Sequence, residues 1–114
     1  MKYNNSSLIP RGINTSLAAS MNSGPIRLRE AVGYAIYIKY TGAPTGTFKL
    51  QASVDSNDSP VNWEDLPFTS AATGIPGTVL FNIANVFYSW VRIVYTRTGG
   101  TGTITDAYFS VKGF

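Results

Sequence analysis

Hydrophobic and polar positions along this chain alternate with a period of two, in short runs separated by turn residues. The cleanest run is Thr47 to Val54, where Phe48, Leu50, Ala52 and Val54 face Thr47, Lys49, Gln51 and Ser53. Such alternation places every second side chain on one face and predicts a half-exposed antiparallel strand. Gly33 to Tyr40 repeats it, with Tyr34, Ile36, Ile38 and Tyr40 on one side and Ala35, Tyr37 and Lys39 on the other. Ile26-Arg27-Leu28-Arg29 is a shorter version with Ile26 and Leu28 inward. In Tyr88 to Thr96, Ser89, Val91, Ile93 and Tyr95 oppose Trp90, Arg92, Val94 and Thr96; the arginine marks the second side as only partly buried.

After Arg97-Thr98-Gly99-Gly100 a further strand begins, and the glycines supply the turn, so the two segments read as a β-hairpin. Ala107, Phe109 and Val111 alternate with Tyr108, Ser110 and Lys112, but Ile104 is one residue out of step. A bulge near Thr105 and Asp106 restores an inward Ile104. Thr78 to Ile83 adds a strand of mixed alternation. Val61 to Phe68 contains Pro67, which lacks a ladder donor, so it is at most a short edge strand or a loop that folds Trp63 onto the core. Residues Ala71 to Gly77 read as a loop.

About seven to eight short strands, turn signals every ten or so residues and no sustained helical period predict an all-β fold. The class is an antiparallel β-sandwich, of jelly-roll or Ig-like type, and pattern alone does not separate these two topologies. Residues 1–25 are polar and broken by Pro10, Gly12 and Gly24, and read as an extended N-terminal arm with little core of its own. At ~3.3 Å per residue such an arm reaches on the order of 80 Å, enough to lie on a neighbouring subunit. The expected division is therefore an arm over 1–25 and a sandwich domain over 26–114.

Composition narrows the functions. At 114 residues the chain is the size of one domain. Charged residues make up 13% of it, about half the usual share, which suits an extended β fold or a protein that lives inside an assembly. The net charge of +3 is scattered, without a run of Lys or Arg, so no nucleic-acid footprint is expected. There is no apolar stretch of signal-peptide or membrane-spanning type, and the expectation is a protein made in the cytosol with no membrane partner.

Histidine and cysteine are both absent, which removes the usual general base and the thiolate nucleophile. A carboxylate pair could act alone, and Asp55, Asp58, Glu64 and Asp65 are the cluster available, but a solvated loop accounts for them more simply. Asp55-x-Asn57-x-Ser59 starts like a calcium loop and then lacks the glycine and the closing acid of that pattern. Thr98 to Thr103 is glycine-rich without the Lys-Ser/Thr ending of a phosphate loop. The reading is no enzyme, no cofactor and no metal. Most of the aromatics fall at inward positions and read as core; Tyr37, Trp63, Tyr88 and Tyr108 are the candidates for exposure, and Tyr37 and Trp63 the ones that could face a ligand such as a sugar. Arg27, Arg29, Lys39, Lys49 and Arg92 stand singly at outward positions.

GTFKLQASVD at Gly46 to Asp55, the Trp63 to Asp65 pair, Asn82-Ile83, WVRIVYT at Trp90 to Thr96, the glycine-rich turn, GTIT from Gly102 and the final VKGF together resemble small β-sandwich virion structural proteins of tailed bacteriophages. The resemblance covers Gly46 to Phe114. It implies a non-enzymatic virion component made in the host cytoplasm, a capsid decoration or cement protein or a minor head protein, with tail or neck components as further members of the class. The implied partners are the major capsid protein or neighbouring copies, a homo-oligomer such as a trimer among them. The arm would clasp a neighbour through Leu8, Ile9, Arg11, Ile13 and Leu17, with Arg27 and Arg29 beside it. The alternative from another class is a carbohydrate- or receptor-binding module of a tail or head fibre.

Overall fold

The computed structural model describes the chain except residues 1, 2, 10, 11, 29, 30, 56–58, 85 and 114. It is all-β. The strands are β1 (Tyr3–Leu8), β2 (Met21–Asn22), β3 (Ile26–Arg27), β4 (Ala31–Gly42), β5 (Thr45–Ser53), β6 (Glu64–Thr73), β7 (Gly77–Ala84), β8 (Trp90–Gly99) and β9 (Gly102–Gly113). One sheet has the order β1-β9-β4-β7; the other has β2-β8-β5-β6, with β3 also on β8. Every pairing is antiparallel. Taking β2 and β3 as one interrupted edge, this is the eight-strand order of a jelly roll, in which the first and last strands lie side by side.

The predicted alternations become the two inner faces. Tyr34, Ile36, Ile38 and Tyr40 of β4 pack toward Phe48 and Leu50 of β5 and Val91, Ile93 and Tyr95 of β8. Phe48 lies 4.7 Å from the Tyr95 ring and 5.5 Å from that of Tyr40, centroid to centroid, an aromatic centre between the sheets. The Tyr95 hydroxyl is buried with no hydrogen-bond partner among the described residues, and burial pushes its pKa up. Because an unpartnered buried hydroxyl costs stability, Tyr95→Phe is expected to raise stability by up to about 1 kcal/mol, read in a thermal melt.

The bulge is where Ile104 demanded it. Lys39 pairs with Asp106 and Tyr40 with Ile104, so Thr105 is the extra residue, and Ile104 and Ala107 both point inward. Four expectations need correction. β8 and β9 are not a hairpin: they belong to different sheets, and the turn between them carries the chain across the sandwich. Gly100 takes φ 69° there, and its Cα packs so closely on the Ala43 carbonyl of the β4–β5 crossover that no side chain fits. The segment from Glu64 to Thr73 is a full edge strand and not a short one. Pro67 falls in the register break opposite Lys49 to Gln51, where no donor is required of it. Val54, expected inward, is exposed just past the end of β5.

The last correction is the arm. β1 pairs in register with β9 from Tyr3↔Gly113 to Leu8↔Tyr108. The backbone then continues along β9: Ile9 N–H donates to Ala107 O at 3.0 Å, Asn14 N–H to Ile104 O at 2.8 Å and Leu17 N–H to Gly102 O at 2.7 Å. Ile104 N–H returns a bond to Thr15 O. Ile9 and Leu17 are buried in the core, and Ile13 packs against it. Apolar side chains spaced along a mostly polar segment find the end of the sandwich, and the edge of β9 supplies the hydrogen bonds their backbone needs. The described part of 1–25 therefore belongs to the sandwich and is not a separate arm.

Candidate functional site

The sandwich leaves two broad outer faces. On the β2-β8-β5-β6 face the register sets Gln51 opposite both Arg92 and Asp65. Gln51 Nε2 donates to Asp65 Oδ1 at 2.8 Å, Lys49 Nζ to Asp65 Oδ2 at 3.1 Å, and Arg92 Nε to Gln51 Oε1 at 2.9 Å. Arg92 lies over the Trp63 ring, 4.4 Å from its centroid. The arginine that interrupted the apolar run in the sequence is thus the cover of an indole, a favourable cation–π arrangement. Trp63 is half-buried beneath Arg92 and does not fold into the core. The hydrogen bond from Gln51, then that from Lys49, holds the Asp65 carboxyl below its ordinary range. Arg27 lies 5.2 Å above the Trp90 ring, whose Nε1 donates to the Asp55 carbonyl at 3.2 Å.

Asp55 closes the loop beside this face. Its Oδ2 accepts from Val61 N–H at 2.7 Å and Asn62 N–H at 3.0 Å, and its Oδ1 from Asn62 Nδ2 at 3.0 Å. These bonds, the Asn62 side chain's first, lower its pKa from an ordinary 3.8 to about 2. A carboxyl whose pKa is depressed on folding stabilises above its unfolded pKa and loses that contribution as pH falls toward the folded value. Melting temperature is therefore expected to drop between about pH 4 and about pH 2, and Asp55→Asn to flatten the drop. An unchanged slope in the variant would contradict the clasp.

The acids do not converge. Asp55 is engaged by Val61 and Asn62, Asp65 by Gln51 and Lys49, and Asp58 and Asn57 lie outside the described residues. No metal-holding group of acids occurs among the described residues.

The other outer face, on β1-β9-β4-β7, is different in kind. The register aligns Leu8 with Tyr108, Tyr108 with Tyr37 and Tyr37 with Leu80, one residue from each of four adjacent strands. All four side chains are exposed: Leu8 58%, Tyr108 41%, Tyr37 37% and Leu80 67%. Val54, Val61, Ile75 and Phe87, also exposed, stand in loops and form no such row. Lys39 and Asp106 face each other one row above.

The site residues expected from sequence are therefore dispersed. Ile9 and Leu17 are core, Ile13 partly so, and Leu8 is on the outer row. Arg27 and Trp63 lie on the β2-β8-β5-β6 face and Tyr37 on the opposite one. Tyr88 is half-buried, its hydroxyl 2.6 Å from that of Tyr34; burial raises the pKa of both. Arg11 and Arg29 lie outside the described residues. Leu80 was missed, because it stands in a strand of mixed alternation and only the register reveals its neighbours.

No protein-family model matches the chain. Among curated proteins, Protein PNS1 of Saccharomyces cerevisiae (strain ATCC 204508 / S288c) is 32% identical over 92 residues, 79% of this chain and 17% of that protein. The chain thus spans about a sixth of that relative's length. Among solved structures, the SPBc2 prophage-derived protein YomS aligns over 99% of this chain and 96% of its own, with TM-score 0.56 and 10% identity. A chain of infectious bursal disease virus, Gx strain, aligns over 98% of this chain and 32% of its own, with TM-score 0.54 and 9% identity. A variant of chitosan-binding module 1 from the chitosanase/glucanase of Paenibacillus sp. IK-5 aligns over 98% and 94%, with TM-score 0.53 and 19% identity. What is shared is the fold. A β-sandwich of this outline occurs in proteins of viral and prophage origin and in binding modules, and no helix among the described residues is long and apolar enough to cross a membrane.

Proposed function

We propose that the chain is a non-enzymatic structural protein of a bacteriophage particle, a capsid decoration or minor head protein that binds its neighbours through its sheet faces and end loops. The observation that carries this reading is the likeness in fold to the prophage-derived YomS over nearly the whole of both chains. The sequence resemblance to phage virion proteins and the lack of histidine and cysteine support it. The N-terminal clasp is not part of the proposal, since the described arm residues are committed to β9. Mass spectrometry of density-purified particles tests it: the chain should be present at a fixed copy number relative to the major capsid protein and persist through a second gradient. Its loss on the second gradient, with the capsid intact, would refute the assignment.

A second reading is supported by the Trp63–Arg92 surface and the likeness to a chitosan-binding module. The half-buried indole under Arg92, with Gln51 bonded to that arginine and Asp65 and Lys49 next along the chain of bonds, sets an aromatic ring near donors and acceptors, as sugar recognition requires. Binding to a glycan array, lost in Trp63→Ala, would favour this reading over the first.

A further inference from the structure

The four-strand row on the β1-β9-β4-β7 face reads Leu8, Tyr108, Tyr37, Leu80, the same in both directions: leucine, tyrosine, tyrosine, leucine. From this symmetry we propose that the face binds a second copy of this chain, about a two-fold axis that runs parallel to the strands between β9 and β4.

The geometry follows from the strand order. A two-fold rotation about such an axis exchanges left and right across the sheet and keeps the height along the strands. Leu8 then lies over Leu80 of the second copy, and Tyr108 over its Tyr37, twice each. The row above obeys the same operation. Lys39 of β4 and Asp106 of β9 are direct cross-strand neighbours, one on each side of the axis, so each Lys39 meets the other copy's Asp106. Opposite charges meet at both symmetry-related positions and no like charges do. The row below presents Ser110, Ala35 and Asn82, small or neutral and without charge to bury. An isologous two-fold contact requires a surface complementary to itself, and the apolar row and its charged flank both meet that condition.

Cross-strand contacts along the row stabilise the monomer's own sheet but leave the outward surface of the row in water, whereas a sheet-on-sheet contact at the usual aligned angle covers it. Four strands about 4.8 Å apart and some seven residues of about 3.3 Å make a face roughly 20 Å by 23 Å. Two such faces bury on the order of 900 Å² before side-chain relief is counted, near the lower limit for a specific interface. The dimer is accordingly weak on its own and strengthened wherever copies are held close together. Pairing of two copies in solution does not depend on membership of a particle, which particle composition tests.

Sedimentation equilibrium of the full chain at about 100 µM tests it. The wild-type chain is expected to be a dimer and Leu80→Arg a monomer with an unchanged circular dichroism spectrum. Lys39→Glu and Asp106→Lys should each associate at least ~10-fold more weakly than wild type when alone. Mixed in equal amounts they should form a heterodimer. The glutamate introduced in one copy then meets the lysine introduced in the other, while the unchanged Asp106 of the first meets the unchanged Lys39 of the second. A monomeric wild-type chain, a dimer indifferent to Leu80→Arg, or a mixture no better associated than its components would each overturn the proposal. Should either charge variant melt below the assay temperature, Tyr37→Ser with Leu80→Ser provides the uncharged test of the same face, expected to be monomeric.

Discussion

Leu17→Ala is expected to destabilise the protein by about 3 kcal/mol, the cost of a cavity at a fully buried leucine. In a domain of this size that lowers the melting temperature by on the order of 10–15 °C. Deleting the first 17 residues is expected to go further and abolish cooperative unfolding. The deletion removes Ile9 and Leu17 from the core, together with β1 and the bonds that follow it along β9. Nothing else among the described residues pairs with that edge of β9. Denaturant and thermal unfolding monitored by circular dichroism check both. A truncated chain that melts like the full one would restore the segment to the status of a free arm.

Gly46→Val should be as damaging for a different reason. Gly46 sits in β5 with the Thr96 carbonyl against its Cα, and a Cβ there would also stand 2.8 Å from the Tyr95 ring and hydroxyl. A methyl group alone overpacks this position by ~1–3 kcal/mol, and the branched valine adds to it because the obstruction is backbone on a central strand. The variant is expected to be insoluble or to melt well below wild type. Combining it with Tyr95→Phe removes the hydroxyl contact and leaves the carbonyl in place, so rescue should be partial. Full rescue would mean that the Tyr95 hydroxyl alone excluded the side chain.

How far the sequence reveals these features depends on the range of the physics behind each. Alternation is local, and so the inner faces of β4, β5 and β8 and the bulge at Thr105 were legible from spacing alone. Which strand pairs with which is not local. The glycines after Thr98 signal a reversal equally well whether the chain returns beside itself or crosses to the other sheet, and only packing of Gly100 on Ala43 decides. The N-terminal segment misled because Ile9, Ile13 and Leu17 are isolated among polar residues, with no period to betray a buried face. Their partner edge on β9 lies about ninety positions away along the chain.

The candidate surfaces show the same divide. Tyr37, Tyr108 and Trp63 could be marked as exposed aromatics, and Arg92 as an anomaly in an apolar run. That Arg92 covers Trp63 depends on the register between β5 and its two neighbours. That four apolar residues line up across one sheet depends on three independent registers, and no window along the chain contains them.

The placement of β1 beside β9 also bears on how the molecule comes into being. Strand β1 has no mate until residues near 113 have left the ribosome, so through the synthesis of everything between them that strand and the buried leucine after it wait without their hydrogen bonds. Folding of this body is for that reason a late event, closed when two distant strands meet, and slow on the scale of domains built from neighbouring segments.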